Sequence, residues 1–234
     1  MQRIVVLNPK GGSGKTTIAI NLASHFALRG ERPTLMDYDP QGSATHWIKK
    51  RQPTQAPINL IAAFEKDQSI TRSFQIRIPD GTGRVIVDTP AAIEAHDMPE
   101  ITRLADKIVV PVLPSDIDIH ACSRCVQNLL LVAKVRRDDN RLGIIANRVR
   151  RNTLIYHSLT RFLETLGIPI VATLRDSQNY VRSAELGLGL EEMKPYQVNE
   201  DLAQWQPLLE WLELPSRRSS AGMATSLVST VRSA

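Results

Sequence analysis

Residues 10–17 read K-G-G-S-G-K-T-T, and this stretch decides the fold. It follows an apolar run over residues 4–7, which is typical of a buried strand, and it leads into residues 15–28, whose apolar side chains recur at helical spacing. Glycines let backbone N–H groups turn inward around phosphate oxygens, where side chains would clash. The start of the following helix adds a favourable dipole. The stretch therefore predicts a phosphate-binding P-loop.

Individual P-loop residues have separate predicted roles. The Lys15 ammonium is predicted to neutralise β- and γ-phosphate charge, and Thr16 has the hydroxyl expected to ligate Mg²⁺. The residues predicted to bind the nucleotide are Gly11, Gly12, Ser13, Gly14, Lys15, Thr16 and Thr17.

Apolar strand patterns alternate with amphipathic helix patterns along the rest of the chain. The predicted strands are 33–36, 84–87, 107–112, 142–146 and 169–173, and the predicted helices are 44–50, 117–135, 154–166 and 199–212. This order predicts an α/β fold of the P-loop NTPase type, a doubly wound and mostly parallel sheet with helices on both faces. Ligands of such sheets bind at the carboxyl ends of the strands. One ATPase domain is predicted over residues 1–214.

Composition changes after residue 214, where Ser, Ala, Thr and Arg dominate, and a disordered tail is predicted over residues 215–234. Met223, Leu227 and Val231 lie at helical spacing, so a short membrane-surface helix is the alternative. The patch is small and weakly basic, and membrane binding is therefore not expected. No apolar run is long enough to span a bilayer and the first residues do not resemble a signal peptide, so a soluble, cytoplasmic protein is expected.

Charge and cysteine content leave some alternatives open. The net charge of +5 fits either a polyanionic partner such as nucleic acid or a solvated basic surface. Cys122 and Cys125 are predicted to be reduced helix cysteines rather than a redox pair or half of a metal site, because no second pair of ligands exists. The arginines concentrate in two places: Arg136, Arg137, Arg141, Arg148, Arg150 and Arg151, and in the tail Arg217, Arg218 and Arg232.

A second lysine, Lys10, lies five residues before Lys15, and the whole motif resembles the deviant Walker A sequence of the ParA/MinD family. In that family the extra lysine contacts the phosphates of the partner subunit's ATP, so the resemblance implies this role for Lys10. Three further segments resemble the family in the expected order: M-D-Y-D-P-Q-G-S at 36–43, V-I-V-D-T-P at 85–90 and I-I-A-N-R at 144–148.

These segments carry the remaining implied roles. The resemblance implies that Asp39 positions the attacking water, so that Lys10, Lys15 and Asp39 form the catalytic set. Asp37 is implied to support either the Mg²⁺ shell or the water network, and Asp88 to hold Mg²⁺ through water. Asn147 is the candidate adenine contact, although asparagine at a strand end is also a common turn former. The implied cofactors are ATP and Mg²⁺.

The resemblance is closest to short family members, which include plasmid partition proteins and ATPases that space carboxysomes or chemoreceptor clusters. It implies an ATP-dependent homodimer, stimulated by a small ParB-like or adaptor protein, that positions a cargo over the nucleoid. The cargo is either a plasmid or chromosome locus or a protein body. Two other functions remain open: a MinD-like membrane-cycling ATPase and a metabolic ATP-dependent enzyme. The candidate contacts to nonspecific DNA are Arg148, Arg150, Arg151, Arg175 and Arg182.

Overall fold

The computed structural model describes residues 1–66, 77–150 and 153–216. Within these residues, seven strands form a single sheet: β1 (Gln2–Val6), β2 (Thr34–Asp37), β3 (Asn59–Ala62), β4 (Arg84–Asp88), β5 (Lys107–Val112), β6 (Leu142–Val149) and β7 (Ile170–Arg175). Their order across the sheet is β3-β2-β4-β1-β5-β6-β7, and every adjacent pair is parallel. The predicted α/β class is confirmed, and the described sheet is wholly parallel.

The α-helices of the described residues lie between and after the strands. They are α1 (Lys15–Leu28), α2 (Ser43–Lys50), α3 (Met98–Arg103), α4 (Asp116–Leu131), α5 (Leu154–Thr165), α6 (Asn179–Glu185) and α7 (Pro195–Glu213). Short 3-10 turns cover Ala63–Lys66, Arg137–Asp139 and Leu190–Glu192.

Two apolar cores cover the two faces of the sheet. Alternate residues of β1 divide between them: Val5 packs with α4 and α5, whereas Ile4 and Val6 pack with α1 and α7. This alternation follows from the two-residue period of a strand, and both sets are buried because helices lie on both faces. The arrangement leaves only the strand ends free to form a site.

Strand register brings acidic residues to one edge of the sheet. Asp88, the last residue of β4, is paired with Val6 of β1 on one side and with Asp37 of β2 on the other. The loop that follows β1 therefore begins beside two carboxylates. This is the edge at which open α/β sheets bind ligands.

Several helix bounds differ from the sequence-based prediction. The helix predicted over 117–135 ends at Leu131, and the last helix begins at Pro195 rather than at 199, because a proline in the first turn needs no N–H partner. The elements β3, α3 and α6 were not predicted from the sequence.

The predicted tail lies almost wholly outside the described residues, as do Arg217, Arg218 and Arg232 and the apolar set from Met223 to Val231. At its start, the Pro215 carbonyl accepts a hydrogen bond from Asn140, and Ser216 is buried. The division at residue 214 stays a prediction. None of the described helices is long and apolar enough to cross a membrane.

Candidate functional site

The P-loop has the backbone geometry that its sequence predicts. It joins β1 to α1, and Gly12 and Gly14 adopt positive φ angles of 75° and 94°. These conformations are open to glycine but strained for other residues. The Gly14 carbonyl accepts a hydrogen bond from the Ile18 N–H and so starts the helical ladder of α1. The N–H groups of the first turn of α1 therefore remain available to an anion.

Lys15 lies almost buried at the base of this loop. Its Nζ donates to the Lys10 carbonyl oxygen at 3.2 Å, and the residue is 6% exposed. Burial lowers the pKa of Lys15, and the nearby charges of Asp88 and Asp39 oppose that shift. A partly desolvated ammonium that lacks a direct carboxylate partner among the described residues is well placed to take a phosphate oxygen.

Asp88 is the buried acid of the site. It is 0% exposed, and neither carboxylate oxygen makes a hydrogen bond of normal geometry with the described residues. Burial raises the pKa of Asp88 to about 7, although the Thr16 hydroxyl lies near enough to lower it. Buried carboxylates without partners are costly unless a cation joins them. Asp88 and Thr16 therefore fit a hard divalent cation, with oxygen ligands of the kind that Mg²⁺ prefers.

Asp37 has a structural task in addition to its predicted metal role. Its Oδ2 accepts from both the N–H and the hydroxyl of Thr45, each at 2.8 Å, and its Oδ1 accepts from the Asp39 N–H at 3.1 Å. Burial raises the pKa of Asp37, and these hydrogen bonds oppose the shift. Asp37 thus fixes the turn that carries Asp39 and the first turn of α2.

Asp39 lies half-buried at the mouth of the site. Its Oδ1 accepts from the Gln41 N–H at 3.0 Å, which closes a local turn. Its charge acts on both Lys15 and Asp88. The structure therefore brings Asp39, Lys15 and Asp88 together at one site. The water-positioning role of Asp39 stays a prediction.

Asn147 lies against the P-loop at the end of β6. Its Nδ2 donates to the Ser13 carbonyl oxygen at 2.9 Å, and its Oδ1 accepts from the Arg148 N–H at 3.0 Å. Arg148 has a positive φ of 52°, and the pairing of β6 with β7 shifts register between Ala146 and Val149, so the strand is irregular at this point. Asn147 is therefore committed to the loop, and its role as an adenine contact stays a prediction.

A cavity of about 640 Å³ continues from the P-loop toward α2 and α6. Its volume suits a ligand the size of a nucleotide. The end of the cavity away from the P-loop was not predicted from the sequence. The polar segment at residues 176–178, directly after β7, could have indicated it. The residues that line the far end are His46, Trp47, Lys50, Asp176, Ser177, Gln178, Tyr180 and Ala184.

Asp201 of α7 lies outside the cavity and accepts hydrogen bonds from residues next to one of its walls. It is fully buried and accepts from Arg175 Nε and from Asn179 Nδ2, each at 2.6 Å, and from the Ser177 hydroxyl at 3.2 Å. These donors flank the loop at residues 176–178. Asp201 therefore holds that loop without entering the cavity.

Lys10 points away from the P-loop in this single subunit. Its Nζ donates to Asp118 Oδ2 of α4 at 2.5 Å, while its backbone N–H donates to Asn8 Oδ1 at 2.9 Å. The Lys10 side chain is 32% exposed and that of Asp118 is 4% exposed. Its predicted contact with a partner subunit stays a prediction.

The arginines predicted as a basic surface are largely paired. Arg148 and Arg150 both pair with Asp176, at 3.3 and 3.1 Å, while Arg175 pairs with Asp201 and Glu200. Arg182 is exposed on α6. Arg151 lies outside the described residues.

Arg141 does not belong to that surface. It is 6% exposed, and its guanidinium donates to the backbone carbonyl oxygens of Thr102 and Ala105. Arg141 is close in sequence to the other arginines of this group, but its position at the start of β6 turns its side chain into the protein. Two more arginines of the same group lie just before it in the chain: Arg136 pairs with Asp138, and Arg137 is exposed.

The two cysteines are buried thiols on α4, with no disulfide between them. Burial raises the pKa of Cys122 to about 12 and that of Cys125 further. Neutral, buried thiols are poor nucleophiles and poor metal ligands. In the described part of the chain, no group of three or more His, Cys, Asp or Glu side chains could hold a metal. That they are reduced structural residues stays a prediction.

Known proteins resemble this chain in sequence and in fold. A family model described as the CobQ/CobB/MinD/ParA nucleotide binding domain matches residues 4–190. The maintenance of carboxysome distribution protein A of Gloeobacter kilaueensis is 30% identical over 223 residues, which cover 92% of this chain and 95% of that protein.

Two solved structures show the same fold at low sequence identity. A putative plasmid partition protein from Borrelia burgdorferi B31, bound to AMPPNP, has a TM-score of 0.69 and 14% identity, over 89% of this chain and 98% of that one. A Cyanothece McdA variant in complex with ATP has a TM-score of 0.67 and 18% identity, over 89% and 96%.

The sheet, the P-loop and the acid beside it define a P-loop nucleotide-binding protein of the α/β class. The family match covers most of the chain, and the chain therefore belongs to the CobQ/CobB/MinD/ParA nucleotide-binding domain family. The predicted assignment to the ParA/MinD group is confirmed by this match and by the carboxysome-distribution relative.

Proposed function

We propose that this chain is a MgATP-dependent ATPase that dimerises around its nucleotide, binds nonspecific DNA and positions a cargo with a partner protein that stimulates hydrolysis. The observation that carries the proposal is the meeting of Lys15 and Asp88 at the P-loop. One supplies a buried cation for phosphates and the other a buried carboxylate with no hydrogen-bonding partner among the described residues. Few ligands other than a metal–polyphosphate complex need both.

The Thr16 hydroxyl and Asp88 would hold Mg²⁺, and the bound ion would neutralise part of the charge on the phosphates. Asp37 supports this arrangement by holding the turn that carries Asp39. Asp39 orients the attacking water. Phosphoryl transfer needs mainly positioning and charge stabilisation, so slow basal hydrolysis is expected until the partner protein completes the site.

Electrostatics gives Lys10 a role in the proposed dimer. Two triphosphates that face each other across an interface repel, and each requires added positive charge. Lys10 supplies that charge to the partner subunit's nucleotide. The supporting observation is its place in the P-loop, where its own carbonyl oxygen accepts from Lys15.

The proposed cargo and location are inferred from the names of the relatives. Their names refer to carboxysome distribution and to plasmid partition, so we propose that this chain positions a protein body or a DNA locus in the cytoplasm. DNA is the proposed track, bound through phosphates and without sequence preference. Arg148, Arg150 and Arg182 are the exposed candidates, and the first two must exchange Asp176 for phosphate.

Retention of Asp39→Ala on DNA tests the proposal. The variant keeps Lys15 and Thr16, so it should bind MgATP, hydrolyse it slowly and accumulate as a dimer on DNA. Retention is measured across a salt series with ATP, with ADP and without nucleotide, and it should fall with a log–log slope of about 0.9 per phosphate contact. Asp80→Ala, at a fully exposed acid, is the matched control and should behave as wild type. Equal retention in all three nucleotide states would refute ATP-gated DNA binding.

A further inference from the structure

The helix α2 begins at a residue that cannot cap it. Its N-cap residue is Gly42, which has no side chain to accept a hydrogen bond from the N–H groups of the first turn. A glycine is favoured at this position, because its φ is 61° and a Cβ would lie 3.0 Å from Phe64 Cζ. The first turn of α2 therefore takes its acceptor from another element.

Asp37, the last residue of β2, supplies that acceptor. Its Oδ2 accepts from the Thr45 N–H and from the Thr45 hydroxyl, each at 2.8 Å, so one carboxylate oxygen takes the place of the missing cap. Asp37 is 0% exposed and Thr45 is 3% exposed. The helix dipole favours a carboxylate at this end, and burial makes either hydrogen bond costly to lose.

The same carboxylate closes the loop that carries Asp39. Its Oδ1 accepts from the Asp39 N–H at 3.1 Å, while Oδ2 holds Thr45 at the other end of the loop. Between them, the Gly42 N–H donates to the Asp39 carbonyl oxygen at 2.8 Å. Both ends of the loop are thus tied to one residue of the central sheet. A reaction that depends on positioning is sensitive to the placement of such a loop.

The far end of α2 is anchored as well, so its first turn is a firm support for the loop. Trp47 Nε1 donates to the Leu188 carbonyl oxygen at 3.2 Å. Arg51, directly after the helix, forms a bidentate pair with Glu192 at 2.7 and 2.8 Å, and both side chains are 7% exposed. The position of Thr45 is therefore set by the packing of α2 and not by Asp37 alone.

We propose that Thr45 is a positioning residue for hydrolysis: through Asp37 it holds the loop that places Asp39, and it does not contact the nucleotide itself. This inference rests on the proposed function, because it assumes that Asp39 orients the attacking water. Among the described residues, Asp39 and Ser43 line the nucleotide cavity and Thr45 does not. The Thr45 hydroxyl therefore acts on the rate of hydrolysis, while the P-loop binds the nucleotide.

Hydrolysis by Thr45→Val is the first test, since valine keeps the branched shape and removes the hydroxyl donor to Asp37. The rate at saturating MgATP should fall about tenfold, and the affinity for a nonhydrolysable analogue should change by less than about twofold. Thr45→Ser keeps the hydroxyl and should keep most of the rate. Thr34→Val is the matched control: this buried threonine begins β2, at the opposite edge of the sheet, and its hydroxyl contacts that of Thr82. It should leave rate and affinity unchanged.

Three results would overturn the proposal. One is a hydrolysis rate for Thr45→Val equal to that of wild type. Another is an analogue affinity that falls as far as the rate, because Thr45 would then act on nucleotide binding. The third is a loss of rate in Thr45→Ser as large as in Thr45→Val, which would assign the effect to packing and not to the hydroxyl.

Amide hydrogen exchange tests the contact without any turnover. In the nucleotide-free protein, peptides that cover residues 38–46 should exchange about tenfold faster in Thr45→Val than in wild type, whereas peptides from α7 should exchange equally in both. Equal exchange over residues 38–46 would show that the Thr45 hydroxyl does not hold the loop. A wild-type protein that binds MgATP and never hydrolyses it would instead refute the proposed function, and the exchange result would still decide the role of Thr45.

Discussion

Gly14 and Asn147 are in such close contact that a Cβ atom on Gly14 would lie 2.3 Å from Asn147 Nδ2. That nitrogen donates to the Ser13 carbonyl oxygen, so it cannot withdraw without loss of a buried hydrogen bond. The close approach locks the end of β6 onto the P-loop. One residue of the loop and one from the far half of the chain thus form a single rigid unit.

Gly14→Ala should therefore weaken ATP binding by at least about 100-fold, because the clash and the positive φ both displace the P-loop backbone. Equilibrium binding of labelled ATP measures it. Gly30→Ala is the control: its φ is 76°, but a Cβ there would meet nothing within 4 Å. It should cost some stability and leave ATP affinity intact. Adding Asn147→Ala to Gly14→Ala should recover part of the loss; ATP affinity near wild type in Gly14→Ala alone would contradict the steric argument.

We expect the buried Lys107 to make the free energy of unfolding increase with pH in the alkaline range. It is fully buried at the start of β5, with Nζ 4.1 Å from the centre of the Trp211 ring and donating to the Asn140 carbonyl oxygen. Burial lowers the pKa of Lys107 to about 8, from 10.5 in an unfolded chain. Between these values the unfolded chain binds more protons, so stability should rise with pH.

Denaturant unfolding from about pH 8 to about pH 10.5 checks this. Lys107→Met should flatten the rise across that window, whereas Lys49→Met, at an exposed lysine, should keep it. An identical slope in wild type and Lys107→Met would show that the buried ammonium is not its source.

Local sequence patterns predicted the elements that place the chemistry. The bounds of α1 and β5 agree with those expected from periodicity and flanking prolines. The position of Asp88 at the end of a parallel strand followed from the alternation of strands and helices, and the pairing with Asp37 follows from the same register. These features depend on neighbours close in sequence, so one chain was sufficient to predict them.

Contacts between distant residues were not predictable in this way. Asp118 is 108 positions from Lys10, and nothing in the local pattern of α4 distinguishes it from Asp116. The strand β3 is short and only partly buried, so its apolar alternation is weak. Asp201 resembles any acid of an amphipathic helix until the fold places it beneath the loop that follows β7.

Asp201→Asn should weaken binding of ATP roughly tenfold, since the donors of Arg175 and Asn179 would face a buried amide that cannot accept from both in the present geometry. The effect should be confined to the far end of the cavity. Affinity for inorganic tripolyphosphate, which needs only the P-loop, should not change. Glu200→Gln, at the exposed second partner of Arg175, is the control and should leave both affinities intact. Equal weakening of both ligands would mean that Asp201 supports the whole fold and not that wall.

Asp88→Asn should separate stability from activity. Burial holds the pKa of Asp88 at about 7 against 3.8 in an unfolded chain, so the ionised carboxylate costs the nucleotide-free protein stability as pH rises from about 4 to 7. Above pH 7 the amide should therefore stabilise the nucleotide-free protein by on the order of 1–4 kcal/mol. The same change should abolish Mg²⁺-dependent hydrolysis, because it removes the one carboxylate of the site whose oxygens are both unpartnered among the described residues.

Thermal unfolding of Asp88→Asn and wild type across that pH range, with and without MgATP, checks both halves of the prediction. The variant should melt higher when nucleotide is absent and gain little when MgATP is added, whereas wild type should gain most above pH 7, where Asp88 binds a cation without first losing a proton. Asp80→Asn, at a fully exposed acid, should follow wild type in every condition. A variant less stable than wild type without nucleotide would mean that the Asp88 carboxylate is stabilised by contacts within the protein, and its assignment as a metal ligand would lose its physical basis.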